Sequence, residues 1–253
     1  MSKNAKIFTS KPPLLLTGTI VPQSQSKLKV IDPNLRARQY KKTIELWCNS
    51  HLFSQIIFCE NSGYPGNSLI NGQVVDDFLK NGGSVDYLTF LPANMNDIQT
   101  YGKGLGEIGI IQHALKHSEV LKNALVIVKC TGRLYVKNAS KILRKTPSSE
   151  NFAINANLSM RLCNCDTRFF VSSPTFLKTY LFPLIKDLDD SKGKYIEKVM
   201  VLAILRAAAD GKTWTVPDCA PWYSGQSGST GSIYGFPWKE NVSTFIKKFL
   251  LKW

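Results

Sequence analysis

Four short apolar runs, each closed by a polar turn and separated by stretches of helical periodicity, constrain this chain more than any other feature. They are PPLLLTGTIVP (12–22), Ile56–Cys59 leading into the polar loop ENSGYPGNS, VDYLTFL (85–91) and ALVIVKC (124–130). Runs of that length, bounded by proline, glycine and asparagine, are what buried strands look like in a sequence. Between the first two, Asp32 to Ser50 reads as a helix in which Leu35, Tyr40, Ile44, Leu46 and Trp47 form a broad apolar side. VVDDFL, ended by Gly82-Gly83, is a second helix. In YGKGLGEIGIIQHALKHS, Ile108, Ile111, Ala114 and Leu115 recur at helical spacing.

Strands alternating with helices imply an α/β fold with a mostly parallel sheet covered by helices on its faces. Ligands of such sheets sit at the carboxyl ends of the strands, so the polar turns just named are where a site is expected.

The second half is less regular. FFVSS (169–173) has strand character, and KYIEKVMVLAILRAAADG is a helix with Ile196, Val199, Met200, Ala203, Ile204 and Ala207 as one stripe, stopped by Gly211. YSGQSGSTGSIYG reads as a flexible loop. NVSTFIKKFLLKW (241–253) reads as a basic amphipathic helix capped by Asn241 or Ser243. It suits contact with an anionic bilayer surface, or equally docking of its apolar face on the rest of the chain.

The 253 residues carry a formal charge of +14, with 43% hydrophobic and 20% charged residues. That is the composition of a globular chain attractive to anions. The basic residues are scattered, with no run of five and no zinc-finger or RNA-binding aromatic signature, which argues against nucleic acid as the partner. The six cysteines have no CxxC spacing and several lie in apolar runs, so they read as core residues of a protein from a reducing cytoplasm, with no zinc site expected. His113 and His117 are four apart on one helix, but no third ligand accompanies them.

Three places carry chemistry. Glu60-Asn61-Ser62-Gly63 closes the second strand; the acid is placed to accept hydrogen bonds from a base or ribose, or the four residues are simply a turn. Thr131-Gly132-Arg133 closes the fourth strand and delivers either a phosphate-binding guanidinium or a surface cap. Glu197 stands in the first turn of its helix, where a carboxylate is favoured by the dipole whether or not it has a chemical role. Asp166 and Arg168, in CNCDTRFFVSS, are a further pair that reads as a cleft edge or as a local ion pair.

The conjunction resembles glycosyltransferases of the nucleotide-sugar-binding GT-A type over roughly residues 12–210. The Thr-Gly exit of the first strand, CENSG at the second and the glycine-rich helix start KGLGEIGIIQHAL are similar to that family's order of pieces. The resemblance implies one α/β domain over 1–240, with a nucleotide-binding half (12–138) and an acceptor and catalytic half (139–240). It implies a donor site at Thr17, Gly18, Thr19, Glu60, Asn61, Ser62 and Gly106.

The family places a metal-binding Asp-x-Asp at the end of the fourth strand. Here the strand ends in KCTGR, so Thr131, Gly132 and Arg133 are expected to hold the diphosphate without a metal, assisted by Lys103, Lys129 or Arg168. Some bacterial capsule and lipopolysaccharide enzymes carry a similar Thr-Gly-Arg-Tyr stretch; Leu134 occupies the tyrosine position here. The family's helix-borne base falls on Glu197, with Lys198 in place of the usual second acid, and Asp166 is the alternative base. The implied activity is inverting transfer from a nucleotide-sugar to a glycan or lipid-linked acceptor at the inner face of the cytoplasmic membrane, with no cofactor. Two other classes stay open: a basic α/β module that binds nucleic acid or anionic membrane without catalysis, and a nucleotidyltransferase, which would want paired acids.

Overall fold

The computed structural model describes residues 11–22, 29–93, 95–147, 149–227 and 231–235. The C-terminal stretch 241–253, read above as an amphipathic helix, lies outside the described residues.

The chain enters through β1 (Leu14–Gly18), whose five residues are all buried. It turns into α1 (Pro33–Ser50), started by Asp32, whose side chain accepts from the Asn34 N–H at 2.9 Å, and by Pro33 in the first turn. The helix ends at His51 in left-handed geometry, φ 51°. Then come β2 (Gln55–Glu60), α2 (Gln73–Lys80), β3 (Ser84–Thr89), α3 (Met95–Tyr101), α4 (Lys103–His117), α5 (Glu119–Asn123) and β4 (Ile127–Thr131).

The second half adds β5 (Leu134–Val136), α6 (Ala139–Leu143), β6 (Phe152–Leu158), β7 (Cys165–Ser172) and α7 (Pro174–Phe176), the last continuing through irregular helical turns to Asp187. It closes with α8 (Ile196–Ala209), β8 (Thr213–Thr215) and β9 (Tyr223–Gly225). β9 falls inside the segment read from sequence as a loop, because Tyr223–Gly225 pairs antiparallel with β5 as a small separate sheet. FFVSS is the second part of β7, which starts four residues earlier than the apolar pattern suggests.

The main sheet has seven strands in the order β3-β2-β1-β4-β7-β6-β8, and within it only β7 runs against the others. The fold is therefore α/β with a mostly parallel sheet, in keeping with the GT-A-like arrangement expected above. Alternation along the strands splits the core in two. Leu14, Leu16, Ile56, Phe58 and Val128 pack with Ile44 and Trp47 of α1, whereas Leu15, Ile57, Cys59 and Ile127 pack with Ile108 and Ile111 of α4 and Met200 of α8.

The chain moves outward from β1 through β2 to β3, then returns to place β4 on the other side of β1. The order thus reverses between β1 and β4. In open α/β sheets the crevice that binds ligands lies outside the carboxyl ends of the strands where the order reverses, here β1 and β4.

Candidate functional site

The crevice is built from backbone before any side chain enters it. Thr17 and Thr131 are partners in the β1–β4 register, and the Gly132 N–H donates to the Thr17 carbonyl at 2.8 Å. A Cβ on Gly132 would lie 2.9 Å from that same carbonyl, and one on Gly18 would lie 2.7 Å from the Phe58 ring. Both glycines are therefore set by close approach. Thr19 is fixed on three sides: its N–H donates to the Tyr40 hydroxyl at 3.0 Å, its hydroxyl donates to Asn61 Oδ1 at 2.6 Å, and its carbonyl accepts from Arg36.

Arg133 leaves this closed corner toward α1. It is 8% exposed; its Nη1 donates to Gln39 Oε1 at 3.2 Å, its guanidinium lies 5.9 Å from the Tyr40 ring centroid, and among the described residues its Nε has no partner. Arg36, 4% exposed, donates through Nε to the Thr19 carbonyl and through Nη1 to the Val30 carbonyl at 2.9 Å. Burial pulls the Arg36 pKa down, and the nearby Arg133 charge adds to the effect. Among the described residues neither guanidinium forms an ion pair. Two buried cations without an anion are costly unless something anionic completes the site. A threonine, a glycine and an arginine at the end of β4 do not fit a divalent cation, which wants oxygen anions. They do fit a phosphate.

Glu60 does not face this corner. It is fully buried, and its carboxyl oxygens accept from the Ser62 N–H at 2.8 Å, the Tyr64 N–H at 2.9 Å and the hydroxyls of Ser62 and Thr89. All that acceptor capacity ties the loop after β2 to β3, so a ribose has no oxygen left to reach. The Ser62 hydroxyl in turn accepts from the Val21 N–H at 3.0 Å. Of the three residues expected to touch a donor here, Asn61 is the one that adjoins Thr19 and the crevice. Gly106 is a packing glycine: a Cβ there would lie 3.3 Å from Asn61 Nδ2 and 3.5 Å from Ile98.

A second group of polar residues occupies the α4 side of the same strand ends. Lys129 is fully buried, with Nζ ion-paired to Glu107 and donating to the Thr167 carbonyl at 2.7 Å and to Thr131 Oγ1 at 3.3 Å. With three donors and three acceptors it has nothing left for a phosphate, contrary to the assisting role expected of it. The Lys103 N–H donates to Asp190 Oδ2 at 3.1 Å, which moors the start of α4 to the turn before α8. Glu197 stands half-buried at the start of α8. Burial pushes its carboxyl pKa up; the Glu107 and Asp190 charges act in the same direction, and a backbone hydrogen bond at the helix start and Lys103 oppose them.

Asp166 and Arg168 form a closed pair. Arg168 Nε and Nη2 each donate to the carboxylate at 2.8 Å, and the Tyr223 hydroxyl donates to it at 2.9 Å. The guanidinium lies 4.2 Å from the Tyr223 ring centroid and 5.2 Å from that of Tyr234, two rings that also contact each other. Burial pulls the Arg168 pKa down, but hydrogen bonding and charge from Asp166 and Tyr223 outweigh it and raise it overall. A carboxylate so engaged is poorly placed to take a proton from a substrate, so Asp166 falls behind Glu197 as a base. His113 stacks on Phe90 at 4.1 Å and lies 4.2 Å from His117, and burial lowers its pKa, with the His117 and Lys116 charges acting the same way. Among the described residues no group of three His, Cys, Asp or Glu is arranged to hold a metal ion.

The structure thus brings Thr17, Gly18, Thr19, Asn61, Thr131, Gly132 and Arg133 together and places Lys103 with Glu197 on the α4 side. The sequence reading missed Arg36, Gln39 and Glu107. Arg36, Gln39 and Tyr40 share one face of α1 at i, i+3, i+4 spacing, a signal that was available but reads as amphipathicity unless the partner strand is known.

No family model matches the chain, and no curated protein matches it. Among solved structures it is similar to a glycosyltransferase involved in the glycosylation of the major capsid of PBCV-1, with 12% identity, a TM-score of 0.44 and coverage of 81% of this chain and 80% of that one. It is also similar to 4-diphosphocytidyl-2C-methyl-D-erythritol synthase from Anaerococcus prevotii, with 11% identity, a TM-score of 0.42 and coverage of 96% and 99%. At such identities and scores neither neighbour tells what this chain acts on.

Proposed function

We propose that the chain is a glycosyltransferase that uses a nucleotide-sugar donor, needs no metal and inverts the anomeric centre. The observation that carries the reading is Arg133: a buried guanidinium that, among the described residues, has an unpartnered Nε and no counter-charge, at the carboxyl end of β4 where the strand order reverses. A diphosphate in that crevice supplies the missing anion. Thr17, Thr19 and Asn61 line the approach for the nucleoside.

In the transfer, an acceptor hydroxyl attacks the anomeric carbon from the face opposite the diphosphate and gives its proton to Glu197. The new C–O bond forms as the bond to the β-phosphate breaks, and the nucleoside diphosphate departs with its charge balanced by Arg133. The half-buried Glu197, with its raised pKa, has the proton affinity such a base needs. The acceptor class proposed is a glycan or lipid-linked sugar of a bacterial surface polysaccharide, met at the cytoplasmic face of the membrane. Among the described residues no helix is long and apolar enough to cross a membrane.

Thermal unfolding against a panel of nucleoside diphosphates and their sugar conjugates tests the reading, because a ligand of the folded state raises the midpoint by mass action. One nucleotide class should stabilise the wild type and fail to stabilise Arg133→Ala, and turnover of its sugar conjugate should persist in chelator. A protein indifferent to every nucleotide, or one that stops in chelator, would overturn the reading.

A further inference from the structure

We infer that Lys129 and Glu107 are a positioning pair for Glu197: Lys129 anchors the Glu107 carboxylate at the end of β4, and that carboxylate faces Glu197 and strengthens it as a proton acceptor. The inference rests on the reading of Glu197 as the base.

Lys129 is hard to explain as packing. It stands in a run of buried apolar residues on β4, between Val128 and Cys130, and burying an ammonium there costs far more than burying another aliphatic side chain. Its three hydrogens are all used, on Glu107, the Thr167 carbonyl and Thr131 Oγ1, so it touches no ligand itself. What it does is fix a carboxylate. Glu107 keeps a side chain 25% exposed while its anchor is at 0%, so the pair holds a partly exposed acid on a rigid base in the sheet.

The helix starts bring that acid to Glu197. The first turn of α4 packs directly on the first turn of α8: a Cβ on Gly104 would lie 3.2 Å from the Ile196 Cβ. Glu107 is the next turn along α4, and Glu197 is the next residue along α8. Among the described residues, the charged groups near enough to act on Glu197 are Glu107 and Lys103 from α4 and Asp190 from the turn before α8, with the Cys165 thiol of β7 beside it. Burial, Glu107 and Asp190 favour its protonated form, and its backbone hydrogen bond at the helix start and Lys103 oppose them, with the raised pKa as the net result. The consequence is chemical: once Glu197 has taken the acceptor's proton it is neutral beside a fixed carboxylate, a state favoured over two adjacent charges. Glu107 acts through Glu197 and needs no contact with the substrate.

The test needs no substrate. The Glu197 side-chain carboxyl is titrated by carbon-13 NMR in the free protein, in wild type and in Glu107→Gln, with Glu107→Asp as the conservative variant. Removing the neighbouring charge should move the Glu197 midpoint to lower pH, and Glu107→Asp should restore most of it. Because Glu107→Gln leaves Lys129 buried without a counter-charge, the double variant Glu107→Gln/Lys129→Met keeps the experiment readable. It should fold and show the same downward shift. An unchanged midpoint in either variant, or a shift in the single variant that vanishes in the double, would overturn the inference. If Glu197→Gln turned over normally, the base reading would fail by itself, separately from the titration result.

Discussion

Gly132 donates its N–H to the Thr17 carbonyl at 2.8 Å, and that bond closes β1 onto β4 where the order of the sheet reverses. The residue after it, Arg133, is thereby launched from a fixed point rather than from a loose loop. Its guanidinium comes to rest against Gln39 and Tyr40 of α1, its Nε without a partner among the described residues. A side chain at residue 132 has no room beside the Thr17 carbonyl, so the glycine is what lets the arginine be buried.

Arg133→Lys separates charge from geometry. A lysine keeps the positive charge but loses the planar fork that matches a phosphate with paired donors. The expected loss of nucleoside diphosphate affinity is roughly tenfold or more, in line with about 1.5–3 kcal/mol for a charge-assisted hydrogen bond. Isothermal titration of the two proteins measures it. Equal affinities would mean that Arg133 serves only as a diffuse charge.

Glu60→Gln should act on stability and not on chemistry. The carboxyl accepts from four donors, two backbone and two hydroxyl. A glutamine keeps one acceptor oxygen and points an NH2 at donors that have lost theirs. A cost of about 2–4 kcal/mol is expected from charged-acceptor hydrogen bonds of this number. Urea unfolding should show it as a lower midpoint at unchanged slope. A variant as stable as wild type would show that the loop after β2 has another anchor.

How much of this was legible in the sequence depended on whether the partner lay nearby in the chain. The first four strands were readable because each is a bounded apolar run. β6 was passed over, since FAINANL interleaves two asparagines and lacks a sharp boundary, and one of those asparagines is buried through a bond to Thr146 Oγ1 at 2.8 Å. Asp166 and Arg168 could be suspected of pairing because they are two residues apart. Glu60 could not be seen as a structural acid, for Thr89 becomes its neighbour only once β3 lies beside β2. Lys129 looked free for phosphate because Glu107 is 22 residues upstream on another element. The depth of Arg133 is set by Gln39, 94 residues away. Periodicity reports which face is buried; it does not report which polar groups have found each other.

Glu197→Gln should stabilise the fold while slowing turnover, and the pH dependence tells the two effects apart. Burial raises the folded-state pKa of Glu197 above that of an ordinary glutamate, so between the two values the native state holds a proton that the unfolded chain would release. A group of this sign costs nothing below its unfolded pKa. The cost appears as pH rises from there through the raised folded pKa, and is then constant above it. Glutamine carries no charge at any pH and escapes the cost. The variant should therefore melt higher than wild type at pH 7 and match it near pH 4, with nucleotide-sugar turnover depressed throughout. Calorimetric melting at the two pH values checks the sign. A variant less stable than wild type at pH 7 would mean that the Glu197 charge is satisfied in the fold, and with that its claim to be a poised base would go.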